Sequence, residues 1–194
     1  NSIYDQYKLK VAKAGDYVFF GAYEQDNNTS NGKEKIEWLV LEIKDGKALV
    51  ISKHALDVKP YNTSNTAVTW ETCTLREWLN NDFLGAAFSA EEKAMVPTVT
   101  VSADKNPDYS TNPGNATQDQ VFLLSITEAN QYFSSDSARD CAPTYYAVAR
   151  GVENGKFEDV CTWWLRTSGY NQGYAANVSI NSYVDEFGNP VNDD

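Results

Sequence analysis

At 194 residues, with 42% hydrophobic and 13% aromatic side chains, the chain is long enough for one domain whose core leans on large rings. Its formal charge of −11 argues against nucleic acid and anionic membrane surfaces as partners, since both call for clustered Lys and Arg. No run of about 18 apolar residues occurs, which leaves no membrane-spanning helix.

The start, Asn-Ser-Ile-Tyr-Asp, lacks an initiator Met and a signal peptide and suits a processed or trimmed chain. Residues 16–22 are β-branched and aromatic and predict a strand; residues 25–33, rich in Asn, Ser and Gly, predict a loop. Residues 36–43 and 48–52 flank Asp45-Gly46, the pair that a two-residue hairpin turn requires. Trp38 and Val40 then share one face and Leu39 and Leu41 the other, so both faces of the hairpin should be covered. An irregular stretch, 53–65, carries His54 and Pro60. The spacing of Leu75, Trp78, Leu79 and Phe83 predicts a helix from Thr74 to about Asp82, with Thr74 and Glu77 as its capping box and Gly85 as its stop.

Ser89 with Glu92 forms a second capping box, for a single-turn helix that Pro97 ends. Residues 98–102 read as an edge strand, and 103–119 as a long polar loop of the kind that is usually functional or unstructured. Residues 121–125 read as a strand running into a third capping box, Ser125 with Glu128, and a helix to about Phe133. A short helix over 143–151, strands over 162–166 and 176–180, and an acidic tail with a turn at Gly188, Asn189 and Pro190 complete the chain. Residues 1–194 thus read as one α+β domain: an antiparallel sheet with short helices and long loops, an extension over 1–14, a core over about 15–184 and a tail over 185–194.

The cysteines, Cys73, Cys141 and Cys161, show no C-x-x-C spacing, which excludes a dense disulfide framework and a four-cysteine zinc site. Cys73 is expected to be a small buried hydrophobe at the helix start. Cys141 and Cys161 form one disulfide or stay free, and spacing alone does not decide. A composition rich in Asn, Ser, Thr and Tyr and poor in Lys suits an exported bacterial protein, secreted or at the cell surface.

Trp70-Glu71-Thr72-Cys73-Thr74-Leu75-Arg76-Glu77-Trp78-Leu79-Asn80, then Phe122-Leu123-Leu124-Ser125, then Trp163-Trp164-Leu165-Arg166, resembles a bacterial domain family of unknown function found in secreted and surface-attached proteins. At greater distance, Ala142-Pro143-Thr144-Tyr145-Tyr146-Ala147 and the Trp-Trp-Leu-Arg segment look like parts of the formylglycine-generating-enzyme-like branch of the C-type-lectin fold. The resemblance implies a compact C-type-lectin-like fold. It also implies a further Gly-Val-Arg-Pro-Ala-Leu-type strand after a position like Asp194, whose absence would leave a sheet edge open for pairing with another chain. The calcium and sugar triplets of the lectins are not carried over: Asn106-Pro107-Asp108 is a partial echo, and no Trp-Asn-Asp occurs. Nor do Cys141 and Cys161 sit in the copper-binding motif of the oxidase branch.

No catalytic constellation stands out. His54 is the only histidine, and no Ser lies in a nucleophile elbow. Asp104, Asn106 and Asp108 alternate as calcium ligands do, without the final Glu of a twelve-residue loop, and solvated acidic loops are the plainer reading. Tyr109, Tyr170, Tyr174 and Tyr183 fall in polar, loop-like surroundings, where exposed rings stack on sugars or grip a protein partner. Trp38, Trp70, Trp78, Trp163 and Trp164 read as core, while Arg76 and Arg166 read as structural cations that stack on an indole and pair with carboxylates such as Glu71 or Glu77. The expectation is an exported module that binds a glycan or protein without chemistry of its own. An enzyme of the oxidase branch and a structural spacer in a larger surface protein are the alternatives.

Overall fold

The computed structural model describes residues 9–152 and 160–193. The expected extension therefore lies outside the described residues over 1–8, as does Asp194 at the end of the expected tail. The described chain mixes antiparallel sheets with short helices.

The first sheet holds β1 (Tyr17–Tyr23), β2 (Glu34–Lys44) and β3 (Lys47–Ser52) in that order, all antiparallel. Asp45 and Gly46 both take positive φ, 49° and 72°, as a two-residue turn matching the strand twist demands. The hairpin is covered on both faces. Trp38 packs against one apolar cluster, and Leu39 and Leu41 against another. Between β1 and β2 the loop is tied by carboxylates that accept backbone amides: Glu34 from Gln25 at 2.7 Å and Glu24 from Asn28 at 2.8 Å.

After a two-residue strand β4 (His54–Ala55) the chain enters the aromatic helix. It runs without a break as α1 (Thr74–Trp78), a π-turn segment (Leu79–Phe83) and α2 (Leu84–Ala87). Two expectations are corrected here. Thr74 is the first helical residue and caps nothing; Cys73 holds the N-cap position and supplies no side-chain bond. The open amides of the first turn are taken instead by a distant segment, Thr74 N–H by Asn62 Oδ1 and Leu75 N–H by Tyr61 O, each at 3.2 Å. Gly85 does not stop the helix, because Leu84 and Ala87 on either side of it are buried and hold the last turn against the core.

The helix α3 (Ala90–Met95) begins with the expected Ser89–Glu92 capping box. The edge strand β5 (Val99–Val101) pairs with β6 (Thr117–Asp119), contributed by the end of the long polar loop. Residues 121–125 are not a strand. Their backbone groups are claimed by side chains and by a crossing strand: Val121 O accepts from Asn80 Nδ2 at 2.8 Å, Leu123 O from the Arg166 guanidinium at 2.9 Å, and Leu124 O from Arg166 N–H at 2.9 Å. The third capping box, Ser125 with Glu128, opens α4 (Ile126–Tyr132) as expected.

A short β7 (Ala142–Pro143) lies parallel to β4 and leads into α5 (Tyr145–Ala149), capped by Thr144. The second three-stranded sheet, in the order β10-β9-β8, is built from β8 (Trp163–Ser168), β9 (Tyr174–Val178) and β10 (Val184–Pro190). The acidic tail is thereby corrected to a strand. Val184 and Val191 are buried at its two ends, and Gly188, at φ 81°, lies so close to β9 that a Cβ there would sit 2.2 Å from Ala175 O. Two apolar clusters flank both sheets. The aromatic helix packs on one with Trp38 and Trp164, and α4 on the other with Leu39, Leu165 and Ala176.

Candidate functional site

The irregular connection after β8 and the bulged β10 place their aromatic residues together. Tyr170 and Phe187 stack with ring centroids 4.2 Å apart and 14° between planes. Tyr174, at the start of β9, lies 4.5 Å from Tyr170, and Tyr109 of the polar loop meets Tyr170 and Phe187 edge-on at 6.4 and 6.1 Å. Tyr170 is 37% and Phe187 47% exposed, so the group is an open aromatic platform. The Tyr174 phenol is held above its ordinary range by its hydrogen bond with Tyr170. Of the sequence-predicted tyrosines, Tyr109, Tyr170 and Tyr174 converge. Tyr183 is exposed but takes no part in these ring contacts. Phe187 escaped the sequence reading because its segment reads as a turn, although Phe187 in an acidic, polar run is itself the signal.

The polar side chains around the platform are mostly occupied with the backbone. Asn106 is buried and donates to Ser168 O at 3.0 Å and Glu186 O at 2.7 Å, while its oxygen accepts from Asp108 N–H at 3.0 Å. Asp104 faces Arg166 at 3.4 Å. Asn106 thus tethers the long loop to β8 and β10 with both side-chain atoms engaged, and Asp104 is an ion-pair partner of Arg166. A different acidic group, Glu24, Asp26 and Glu34, brings its carboxylate oxygens within 4.8 Å of one another, and its members accept the loop amides between β1 and β2.

The family-like motifs supply the frame. Buried Asp119 accepts from Arg76 Nε at 2.7 Å and Trp70 Nε1 at 3.0 Å, so Arg76 pairs with Asp119 rather than Glu71 or Glu77. Arg76 still reaches that segment, donating to Glu71 O at 3.1 Å. Arg166, 3% exposed, pairs with Glu128 and Asp104 and donates to Leu123 O and Ser102 O. A buried guanidinium with this many acceptors fixes the three segments it joins, since each bond lost would strand a buried charge. Leu75 and Leu79 are buried in the first cluster, as expected.

The tryptophans divide. Trp70 is buried as core, whereas Trp38, Trp78, Trp163 and Trp164 are half-buried and line a cleft of about 890 Å³ together with Val50 and Ile51 of β3. Trp163 and Trp164 are anchored by their indole N–H groups to Arg139 O at 3.2 Å and Lys59 O at 3.1 Å, and Lys59 Nζ lies 5.2 Å over the Trp78 ring. β3 and β8 are both outermost strands of their sheets, and both border this cleft. Volume and lining are those of ligand pockets. Sequence reading missed the cleft because a pattern of apolar residues cannot distinguish a filled core from an open one. His54, on the same wall, is half-buried with Nδ1 3.3 Å from Ala142 O.

The model of a family described as a domain of unknown function, DUF6273, matches residues 45–190, a range that takes in the aromatic helix and the platform. Searches of curated proteins and of solved structures found no match.

Proposed function

The chain belongs to the DUF6273 family, and we propose that it is a binding module, which seats a carbohydrate on the platform of Tyr170, Phe187, Tyr174 and Tyr109. The observation that carries this reading is the exposed Tyr170–Phe187 stack, walled by two further rings. Aromatic faces attract the C–H faces of sugars, and rings already packed against each other lose little freedom on binding. The module is placed in an exported bacterial protein, secreted or at the cell surface, and its fold is read as C-type-lectin-like. Composition and the three sequence motifs support the first reading, and the segments 142–147 and Trp163-Trp164-Leu165-Arg166 support the second.

A second reading, a protein ligand, is favoured by the cleft. Its walls include the outer strands β3 and β8, whose sheets are flanked by the same two apolar clusters. An extended segment of a partner chain, apolar on both faces, would pair with these edges by strand addition. One experiment separates the two. On a glycan array and in a pull-down from host and bacterial surface proteins, Tyr170→Ala and Phe187→Ala should lower glycan affinity at least about tenfold, while Ile51→Glu in the cleft leaves it unchanged. Binding lost only with Ile51→Glu would instead place a protein ligand in the cleft. A blank result in both screens removes the module reading.

A further inference from the structure

The pair Cys141 and Cys161 is used neither by the platform nor by the frame around Arg166. The two residues are joined through the backbone: Cys161 N–H donates to Cys141 O at 2.9 Å, and the Cys161 thiol reaches the same oxygen at 3.2 Å. A backbone bond of the first kind between two extended segments brings Cα atoms to roughly 5.5 Å. That lies within the roughly 4.4–6.8 Å between Cα atoms that a disulfide spans. Both thiols are free. They differ in access. Cys161 is fully buried, whereas Cys141 is half-buried and lines the cleft. They differ in acidity as well. The Cys141 thiol is drawn below its ordinary range by the neighbouring Cys161 side chain, helped by Ala55 N–H, while Cys161 is pushed up by Cys141 and by burial. Cys73, by contrast, is buried against Trp70 O, its thiol raised to about 11.

We propose that Cys141 and Cys161 form a thiol–disulfide exchange centre opening on the cleft, with Cys141 the attacking and Cys161 the resolving sulfur, and a small-molecule disulfide RS–SR as the oxidant. Cys141 gives its proton to solvent, and the thiolate attacks one sulfur of RS–SR. The S–S bond breaks, RS⁻ leaves and takes up a proton, and a mixed disulfide remains on Cys141. Cys161 then loses its proton and attacks the Cys141 sulfur, expelling the second RS⁻, which is protonated in turn. Two protein thiols have lost two electrons, and one RS–SR has become two RSH. The attacking sulfur is the cleft-lining, more acidic one, as exchange requires; the fully buried one is reached only from its neighbour.

The test uses the full chain, oxidised glutathione as RS–SR, an acid quench, alkylation under denaturing conditions and non-reducing peptide mapping. Wild type should give a Cys141–Cys161 cross-linked peptide and a fully alkylated Cys73. Cys161→Ser should stop at a glutathione adduct on Cys141, and Cys141→Ser should leave Cys161 without an adduct. In the untreated native protein, iodoacetamide should label Cys141 at least about tenfold faster than Cys161 or Cys73. That arm needs no variant and holds even where serine at the buried position impairs folding. The proposal is overturned if both sulfurs of the wild type remain alkylated after the oxidant, if the adduct in Cys141→Ser forms on Cys161, or if native labelling of Cys141 is no faster than that of Cys73. A blank ligand screen leaves these outcomes untouched, because no step involves the aromatic platform.

Discussion

Tyr61 is 1% exposed, and its hydroxyl donates to Arg166 O at 2.9 Å, joining the segment before the aromatic helix to β8. Tyr61→Phe should lower stability by about 1 kcal/mol at neutral pH, measured by urea unfolding. Alkaline behaviour follows from the same burial. Desolvation holds the Tyr61 phenol well above its ordinary range, and burial with a bond to Glu42 lifts Tyr132 to about 12. A phenol whose folded pKa is raised contributes stability that is complete below the unfolded value of about 10 and is lost as pH rises toward the folded value. Wild-type stability should therefore fall from about pH 10 upward, and Tyr61→Phe should show the shallower decline. At this scale the sequence marked Arg76 and Arg166 as structural cations, but not their partners. Asp119 lies 43 residues beyond Arg76 and Glu128 lies 38 before Arg166, separations over which no local pattern carries information.

Among the elements, the three helix starts show what capping rules can and cannot read. Ser89–Glu92 and Ser125–Glu128 form their capping boxes because the donors and acceptors lie three residues apart in one turn. Thr74–Glu77 has the same spacing and no box, since Asn62 and Tyr61 have already taken the first amides. Two substitutions separate these cases. Asn62→Ala should cost about 1–2 kcal/mol, as the loss of an N-cap does, whereas exposed Glu77→Ala should stay within about 0.5 kcal/mol, both by chemical denaturation. The π-turn segment within the helix was equally hidden. Its residues Leu79 and Phe83 keep the apolar spacing of an α-helix, and only the core they meet sets the local winding.

For the molecule as a whole, the second sheet depends on close approach at Gly188, where a Cβ would meet Ala175 O at 2.2 Å and φ is 81°. Gly188→Ala should destabilise the domain by about 1–3 kcal/mol and weaken the Tyr170–Phe187 stack next to it, visible as a lower unfolding midpoint and an altered near-ultraviolet tyrosine signal. By itself the sequence determined the mixed fold class, the β2–β3 hairpin, two of the three capping boxes and the apolar spacing of the aromatic helix, though not its end. Each of these rests on interactions a few residues apart, where spacing is geometry. Tertiary structure alone decided that residues 184–190 form a strand, that residues 121–125 do not, that Phe187 joins three tyrosines, and that four tryptophans face a cleft. The reason is physical. Whether an extended segment becomes a strand depends on which distant groups take its backbone hydrogen bonds, and whether an apolar residue is core or cleft depends on what packs over it.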